Sequence, residues 1–305
     1  MTGARALGYR LFGKLFDYLL HLRPAEWPIL AVHLLTGSVL AVGLRGVLGP
    51  GGWPLLAGAA AFVIGLNGGT LALNSAFDRD EGDVAYLRRP PPPPRGLAGF
   101  GLGMMGLALA IATRFPAGFF TATALCFLLS VLYSVPPIRL KAVAGMDWVI
   151  NVVGFGFLAP YAGWALTGET LDEPGRTVVL SFALLFGALY PLTQLYQLDE
   201  DRRRGDRTLA VALGVDRSLG LALLLAGLAF AGFALAGAES GWGGIRGGNA
   251  RWMGLATAAT SWALVLIPWW RARRKSTPAS HQAGMHRALV AWAVTDFAVL
   301  FAWAA

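Results

Sequence analysis

Charge is scarce in this 305-residue chain: 14% of its residues are Asp, Glu, Lys or Arg, against 56% that are hydrophobic. A soluble globule carries about 25% charged residues, so this composition excludes one and makes lipid the solvent for most of the chain. Cysteine is almost absent. Cys126 stands alone inside an apolar run, which rules out a disulfide within the chain and a zinc site built on cysteines. Lysine is nearly as rare, with only Lys14, Lys141 and Lys275 among 25 basic residues. The net charge of +8 comes from short blocks between apolar runs rather than from a basic domain, so no nucleic-acid partner is expected. Apolar runs recur along the whole chain, a pattern unlike one short secretory signal ahead of a soluble body.

Nine stretches approach the ~20 apolar residues of a membrane-spanning helix. They lie near 27–47, 53–75, 97–114, 116–134, 146–167, 176–197, 217–237, 252–270 and 286–304. Nine crossings would put the termini on opposite sides, and the basic residues test that count. Twenty fall on one side, and five (Arg45, Arg114, Arg176, Arg246 and Arg251) on the other. The richer side, with the N-terminus, is assigned to the cytoplasm of a bacterial inner membrane, and the C-terminus to the opposite face. The expected fold class is therefore all-α integral membrane. Ahead of the first span, Leu7, Leu11, Leu15, Tyr18 and Leu22 recur three or four apart among basic residues. This predicts an N-terminal interfacial helix in 1–26, followed by a single membrane domain over 27–305. The proline run 90–94 predicts a stiff extended strut.

Two acidic groups fall on the cytoplasmic side: Asn74, Asp78, Asp80, Glu81 and Asp83 after the second stretch, and Asp199, Glu200, Asp201 and Asp206 after the sixth. In a helix, Asn74 and Asp78 share a face at i and i+4, as do Gln197 and Asp201. Carboxylates crowded beside lipid repel one another and take up protons unless a cation neutralises them. The donors are all oxygens, with no His or Cys nearby, which points to Mg²⁺, an ion that completes its shell with water and phosphate. The alternative is a pair of solvated loops whose acids balance the arginines; polar Asn74 and Gln197 at apolar helix ends weigh against it. Between the groups, Tyr133-Ser134-Val135-Pro136-Pro137-Ile138-Arg139-Leu140-Lys141 sets two cations at the membrane edge. They either mark topology or grip a diphosphate, Arg139 through its planar fork and Lys141 as a point charge. Asp147 and Asn151 face the same mouth from the fifth stretch. Asp296, an acid within the last, either activates an acceptor or hydrogen-bonds across helices. Tyr161, Tyr190 and Tyr196 either face a reacting cation or anchor at the lipid interface.

These residues resemble the UbiA superfamily of intramembrane prenyltransferases, of the 4-hydroxybenzoate polyprenyltransferase-like kind. Leu22-Arg23-Pro24 through Trp27 is similar to the family's opening helix, and Asn74-Ser75-Ala76-Phe77-Asp78-Arg79-Asp80 to its first aspartate motif. Tyr133 to Lys141 resembles its Pro-Pro-x-Arg-x-Lys loop, and Gln197 to Asp201, continuing to Gly214, its second motif. The resemblance implies nine helices around a central cavity with cytoplasmic cap loops, Mg²⁺ as cofactor, an isoprenoid diphosphate donor and a hydrophobic acceptor met within the lipid bilayer. It implies Asn74, Asp78, Asp83, Asp199 and Asp201 as metal ligands. It implies Asp78, Asp201, Arg139 and Lys141 as catalytic residues, and Asn74, Tyr133, Arg139, Lys141, Asn151 and Gln197 as substrate-binding residues.

The sequence departs from the family at Gly82, where a second aspartate is usual and Asp83 is the nearest substitute, and at Gln197, where an aspartate is common. Arg88-Arg89-Pro90 and four further prolines replace the usual Arg-Pro-Ile-Pro, marking a divergent subgroup with a stiffer cap. The implied reaction is transfer of a prenyl group to an aromatic or lipophilic acceptor. Its rivals are terpene cyclisation on the same fold and non-enzymatic carriage of an anionic lipid.

Overall fold

The computed structural model describes residues 3–78, 87, 89–244 and 247–303. Among these there is no β-strand, and eight helices are long and apolar enough to cross a membrane. With the family assignment made below, the chain is a multi-pass membrane protein.

Two short helices, α1 (Gly3–Phe12) and α2 (Phe16–His21), precede α3 (Trp27–Leu48). The expected single helix over 1–26 is thus broken, by a turn at Gly13 with φ +54. The second span joins α4 (Trp53–Ala60) to α5 (Gly68–Asp78) through a π-helical segment, Ala61–Asn67. After the proline run come α6 (Leu97–Ala112) and α7 (Ala117–Ser134). The fifth predicted stretch is α8 (Met146–Asn151) and α9 (Ala159–Ala165), again joined by a π-helical segment, Val152–Leu158. Then follow α10 (Glu173–Gln194), a short α11 (Leu198–Arg204), α12 (Leu209–Glu239), α13 (Gly248–Ala272) and α14 (Pro278–Trp303).

Three expectations are corrected. The stretch 97–114 forms a helix of only 16 residues, bounded by left-handed Gly96 and by the turn before Pro116. At 1.5 Å per residue it is about 24 Å long, short of the ~30 Å hydrocarbon core. The stretch 176–197 ends at Gln194, so Gln197 immediately precedes α11 instead of closing a span. The stretch 217–237 lies within α12, whose first turn is set off by Gly214 at φ +70.

Apolar side chains gather in a small cluster around Leu22, Ala72 and Leu97 and in two large ones. One draws on α10, α12, α13 and α14; the other on α3 to α7 and on α9. Phe155, in the second π-helical segment, packs against both. Between them lies a cavity of about 390 Å³, lined by Leu30, Phe62, Leu66 and Cys126 from one side and by Phe186, Leu189, Tyr190 and Trp292 from the other. Asn67 and Phe155 bring both π-helical segments to its wall, the usual setting for such bulges.

The α3/α9 crossing holds the second large cluster closed, and glycine makes it. A Cβ on Gly163 would stand 1.7 Å from the Leu34 carbonyl oxygen, and one on Gly37 1.8 Å from that of Pro160. Small residues let membrane helices touch backbone to backbone, and here Ser38 Oγ donates to the Gly163 carbonyl at 2.6 Å. Gly163→Leu should therefore destabilise the bundle by about 1–3 kcal/mol or more through overpacking. A lowered thermal midpoint of the detergent-purified variant is the expected result, and an unchanged one would show that the helices do not meet there.

Candidate active site

Next to the cavity-lining Asn74, Tyr133 and Asn151, the ends of four elements build a charged mouth whose own side chains lie outside the cavity lining. Helix α5 ends at Asp78, whose carboxylate is 3% exposed. Its Oδ2 is paired with Lys141, and its Oδ1 lies 3.5 Å from Arg139 Nη2 while accepting no hydrogen bond. Arg139 sits in the left-handed region at φ +37, after the Pro-Pro turn that closes α7. From there its guanidinium reaches Asp206 with both arms, Nη1 to Oδ1 at 2.6 Å and Nη2 to Oδ2 at 3.3 Å. Arg139 therefore bridges the first acidic group to the second.

Asp206 is aimed by the end of α11. Gly205, at φ +77, closes that helix: its N–H donates to Arg202 and the Asp206 N–H to Asp201, the six-to-one closure that only a left-handed residue allows. The Arg207 N–H then donates to the Ala142 carbonyl at 3.2 Å, docking the second acidic loop on the basic loop. Arg204 lies between carboxylates, 3.4 Å from Glu200, 3.5 Å from Asp201 and 3.9 Å from Asp206. Thr208 caps α12 by accepting from the Val211 N–H and donates its own hydroxyl to Asp201 at 3.3 Å.

Asp147, expected to face the mouth, is tied into a buried backbone network. It is fully buried, and its carboxylate accepts from Gly145 N, Gln194 Nε2 and Leu209 N, each at 2.9 Å. One carboxylate thereby ties α8, the end of α10 and the start of α12. Gln194 Oε1 also accepts from the Ala210 N–H at 3.3 Å.

The cavity-lining members of the expected set are Asn74, Tyr133 and Asn151. Asn74 accepts from Ser134 at 3.4 Å, Tyr133 shares a 2.9 Å hydroxyl contact with Tyr190, and Asn151 donates to the Asp147 carbonyl. Tyr196 lines the cavity as well, and Tyr161 does not. Two expected residues stand apart. Asp199 is 80% exposed and pairs with Arg202 at 3.3 Å, facing away from the site. Gln197 is the residue before α11, away from the cavity wall, and Gln194, one turn earlier, is the glutamine buried in the network. Asp80, Glu81 and Asp83 lie outside the described residues. The expectations missed Asp206 as the partner of Arg139 and Arg204 as a third cation; the left-handed Gly205 that aims them was the available signal. Arg23, which donates to Ser75 at 3.3 Å, and Glu26 also reach the cavity wall.

The donor set suits a hard cation. Asn74, Asp78 and Asp201 offer only oxygen, and the buried Asp78 Oδ1 has no hydrogen bond. Among the described residues no three acidic, His or Cys side chains converge into a closed metal cage. Oxygen donors of this kind fit Mg²⁺, which takes one or two carboxylates and fills its shell with water and phosphate oxygens.

The class so defined is a helical, multi-pass membrane protein with a charged mouth over an apolar cavity. Residues 30–293 match the model of the UbiA prenyltransferase family, and the chain belongs to that family. Among its curated relatives, the lycopene elongase/hydratase of Halobacterium salinarum is 28% identical over 211 residues, 67% of this chain and 74% of that protein. The fold is shared with a UbiA homologue from Archaeoglobus fulgidus solved with GPP and Mg²⁺, at TM-score 0.63 and 19% identity over 93% of this chain and 99% of that one. It is shared too with a solved structure concerned with digeranylgeranylglyceryl phosphate synthase, at TM-score 0.68 and 14% identity over 95% and 99%.

Burial, joined by the neighbouring Asp206, raises the Asp201 carboxyl above the ordinary aspartate range, against the opposing pull of Arg204 and the Thr208 hydroxyl. A raised carboxyl keeps its proton to higher pH, and a protonated carboxyl is no metal ligand. Mg²⁺ affinity should therefore strengthen with rising pH through a window above the usual carboxylate pKa, with proton release on binding. Calorimetric titration of Mg²⁺ at several pH values checks this; Asp201→Asn should flatten the dependence.

Proposed function

We propose that the chain is an intramembrane prenyltransferase, moving the prenyl group of an isoprenoid diphosphate to an aromatic or lipophilic acceptor. The observation that carries this reading is the apolar cavity beneath a mouth where Asp78, Arg139, Lys141 and Asp206 pair. A molecule with a hydrocarbon tail and a highly charged head fits that division of the site. The GPP and Mg²⁺ bound by the Archaeoglobus homologue support the same assignment of donor and metal.

Asn74, Asp78 and Asp201 would hold Mg²⁺, with Asp83 as a further ligand from outside the described residues. Bound there, the metal would offset charge on the departing diphosphate. Arg139 and Lys141 exchange their carboxylate partners for diphosphate oxygens, so that two cations meet the charge that grows as the carbon–oxygen bond breaks with its electron pair. Tyr133 and Tyr190 stand at the inner side of this mouth, where their ring faces suit an allylic cation. The walls exclude water that would otherwise quench the cation, leaving the acceptor's electron pair to form the new bond. The acceptor then loses a proton. The lining is mostly apolar, and the lycopene elongase/hydratase relative supports a lipophilic, isoprenoid-like acceptor.

The membrane arrangement belongs to the same proposal. Helix α6 makes a ninth crossing with the aid of local bilayer thinning, so the N-terminus and the site face the cytoplasm of a bacterial inner membrane and the C-terminus the other side. Leu7, Leu11, Phe12 and Leu15 are at least half exposed and lay 1–26 on the cytoplasmic leaflet ahead of the single domain 27–305.

Mass spectrometry of lipids from cells expressing the chain tests the reading. A prenylated product is expected with the wild type; Lys141→Ala should lower its formation by about a hundredfold, and Asp78→Ala by at least as much. A cyclic hydrocarbon formed from donor alone would replace transfer with cyclisation, and binding without turnover would leave a carrier.

A further inference from the structure

An acid and an imidazole that the reaction does not use lie just behind the cavity. His33 on α3 is fully buried and Asp296 on α14 is 2% exposed. Their Nδ1 and Oδ1 atoms are 3.3 Å apart, and His33 Nε2 lies 3.2 Å from the Phe155 carbonyl oxygen. A carbonyl only accepts, so Nε2 carries a hydrogen and donates it; one further proton is shared between Nδ1 and Asp296. The imidazole thereby pins the backbone of the second π-helical segment to the last helix.

Three aromatic rings enclose that imidazole. Phe155 stacks on it at 5.2 Å, and Phe182 and Trp292 meet it edge to face at 4.9 and 5.0 Å. Phe155 and Trp292 line the cavity, and Phe186, which also lines it, contacts both, at 4.5 and 5.7 Å. Counted from the charged mouth, Phe186 is the last lining residue on α10 and Trp292 the last on α14. Each lies seven residues, about 10 Å, beyond the first lining residue of its helix, Thr193 or Met285. On the α10 and α14 side Phe155, Phe186 and Trp292 are thus a floor, with Phe62 and Ala159 lining the opposite side further in, and the His33–Asp296 pair is the fastening of that floor. A polar pair costs stability inside a bilayer, so its placement behind a cavity wall points to specificity.

We propose that His33 and Asp296 are positioning residues that hold this aromatic floor and thereby fix the longest prenyl chain the cavity accepts, an inference that rests on the prenyl diphosphate reading above. Discrimination by a hydrophobic pocket is worth about 10- to 200-fold for one methylene, so moving the floor should be plain in the ratio of affinities for donors of different length.

The test is equilibrium binding of the turnover-resistant geranyl, farnesyl and geranylgeranyl thiolodiphosphates with Mg²⁺ to purified protein, with thermal melts as a folding control. Wild type should prefer one length. Trp292→Ala should shift the affinity ratio toward the next longer chain by about tenfold or more, and Asp296→Leu should shift it in the same direction. Asp296→Asn, whose amide still hydrogen-bonds Nδ1, should keep the wild-type ratio even if its melting temperature falls, which a role in stability alone would not produce. If Asp296→Leu fails to fold, His33→Gln takes its place. Equal affinity of wild type for all three chains, or an unchanged ratio in Trp292→Ala and in the folded pair variant, overturns the inference and leaves the enzyme reading standing. Absence of binding by wild type for every chain overturns both.

Discussion

Buried carboxylates at the edge of a bilayer must find positive charge, and much of the site follows from that constraint. Asp78 ends a membrane helix with its side chain almost fully withdrawn from solvent, a position in which an unpaired charge costs several kcal/mol. Lys141 and Arg139 meet it. Because Arg139 has two arms and five donors, it binds Asp206 as well, and two loops far apart in sequence are joined by one guanidinium. The Pro-Pro turn, left-handed Arg139 and left-handed Gly205 are the local geometry that this junction requires.

The junction also explains why the chain spends a buried aspartate and glutamine on structure. Asp147 and Gln194 together satisfy the N–H groups of Gly145, Leu209 and Ala210, which would otherwise be unpaired at a break between helices. Their network holds the end of α10 against α8 and α12, so the second acidic loop leaves the membrane at a fixed point. Charge in this protein is thus used twice: an inner set positions backbone, and an outer set pairs Asp78, Lys141, Arg139 and Asp206 across two loops.

How far the sequence disclosed this differs from residue to residue. Asn74 and Asp78 were legible because helical spacing continues unbroken to the membrane edge, and Arg139 and Lys141 because paired prolines announce a turn. Gln197 and Asp199 looked like a span end because a run of acids follows an apolar stretch; three residues of irregular backbone after Gln194 instead begin a separate short helix, on which Asp199 is exposed. The third stretch was overcounted in length for a similar reason, since apolar composition runs past Ala112 although the helix does not. The partner of Asp296 could not be read at all. His33 is 263 positions away, and only the packing of the first membrane helix against the last brings the two together.

The π-helical segments carry a consequence for register. Each holds one residue more than an α-helix of the same rise would, so every side chain beyond it stands about 100° from where a regular helix of the same residues would put it. In the second span that offset lies in Ala61–Asn67, between the glycines and alanines that pack the lower helix and the Asn74 and Asp78 that serve the mouth. Each half keeps its own facing. Loss of a single residue there would restore a regular helix with both halves still in place, whereas closing the bulge with every residue kept would swing Asn74 and Asp78 about 100° away from Lys141.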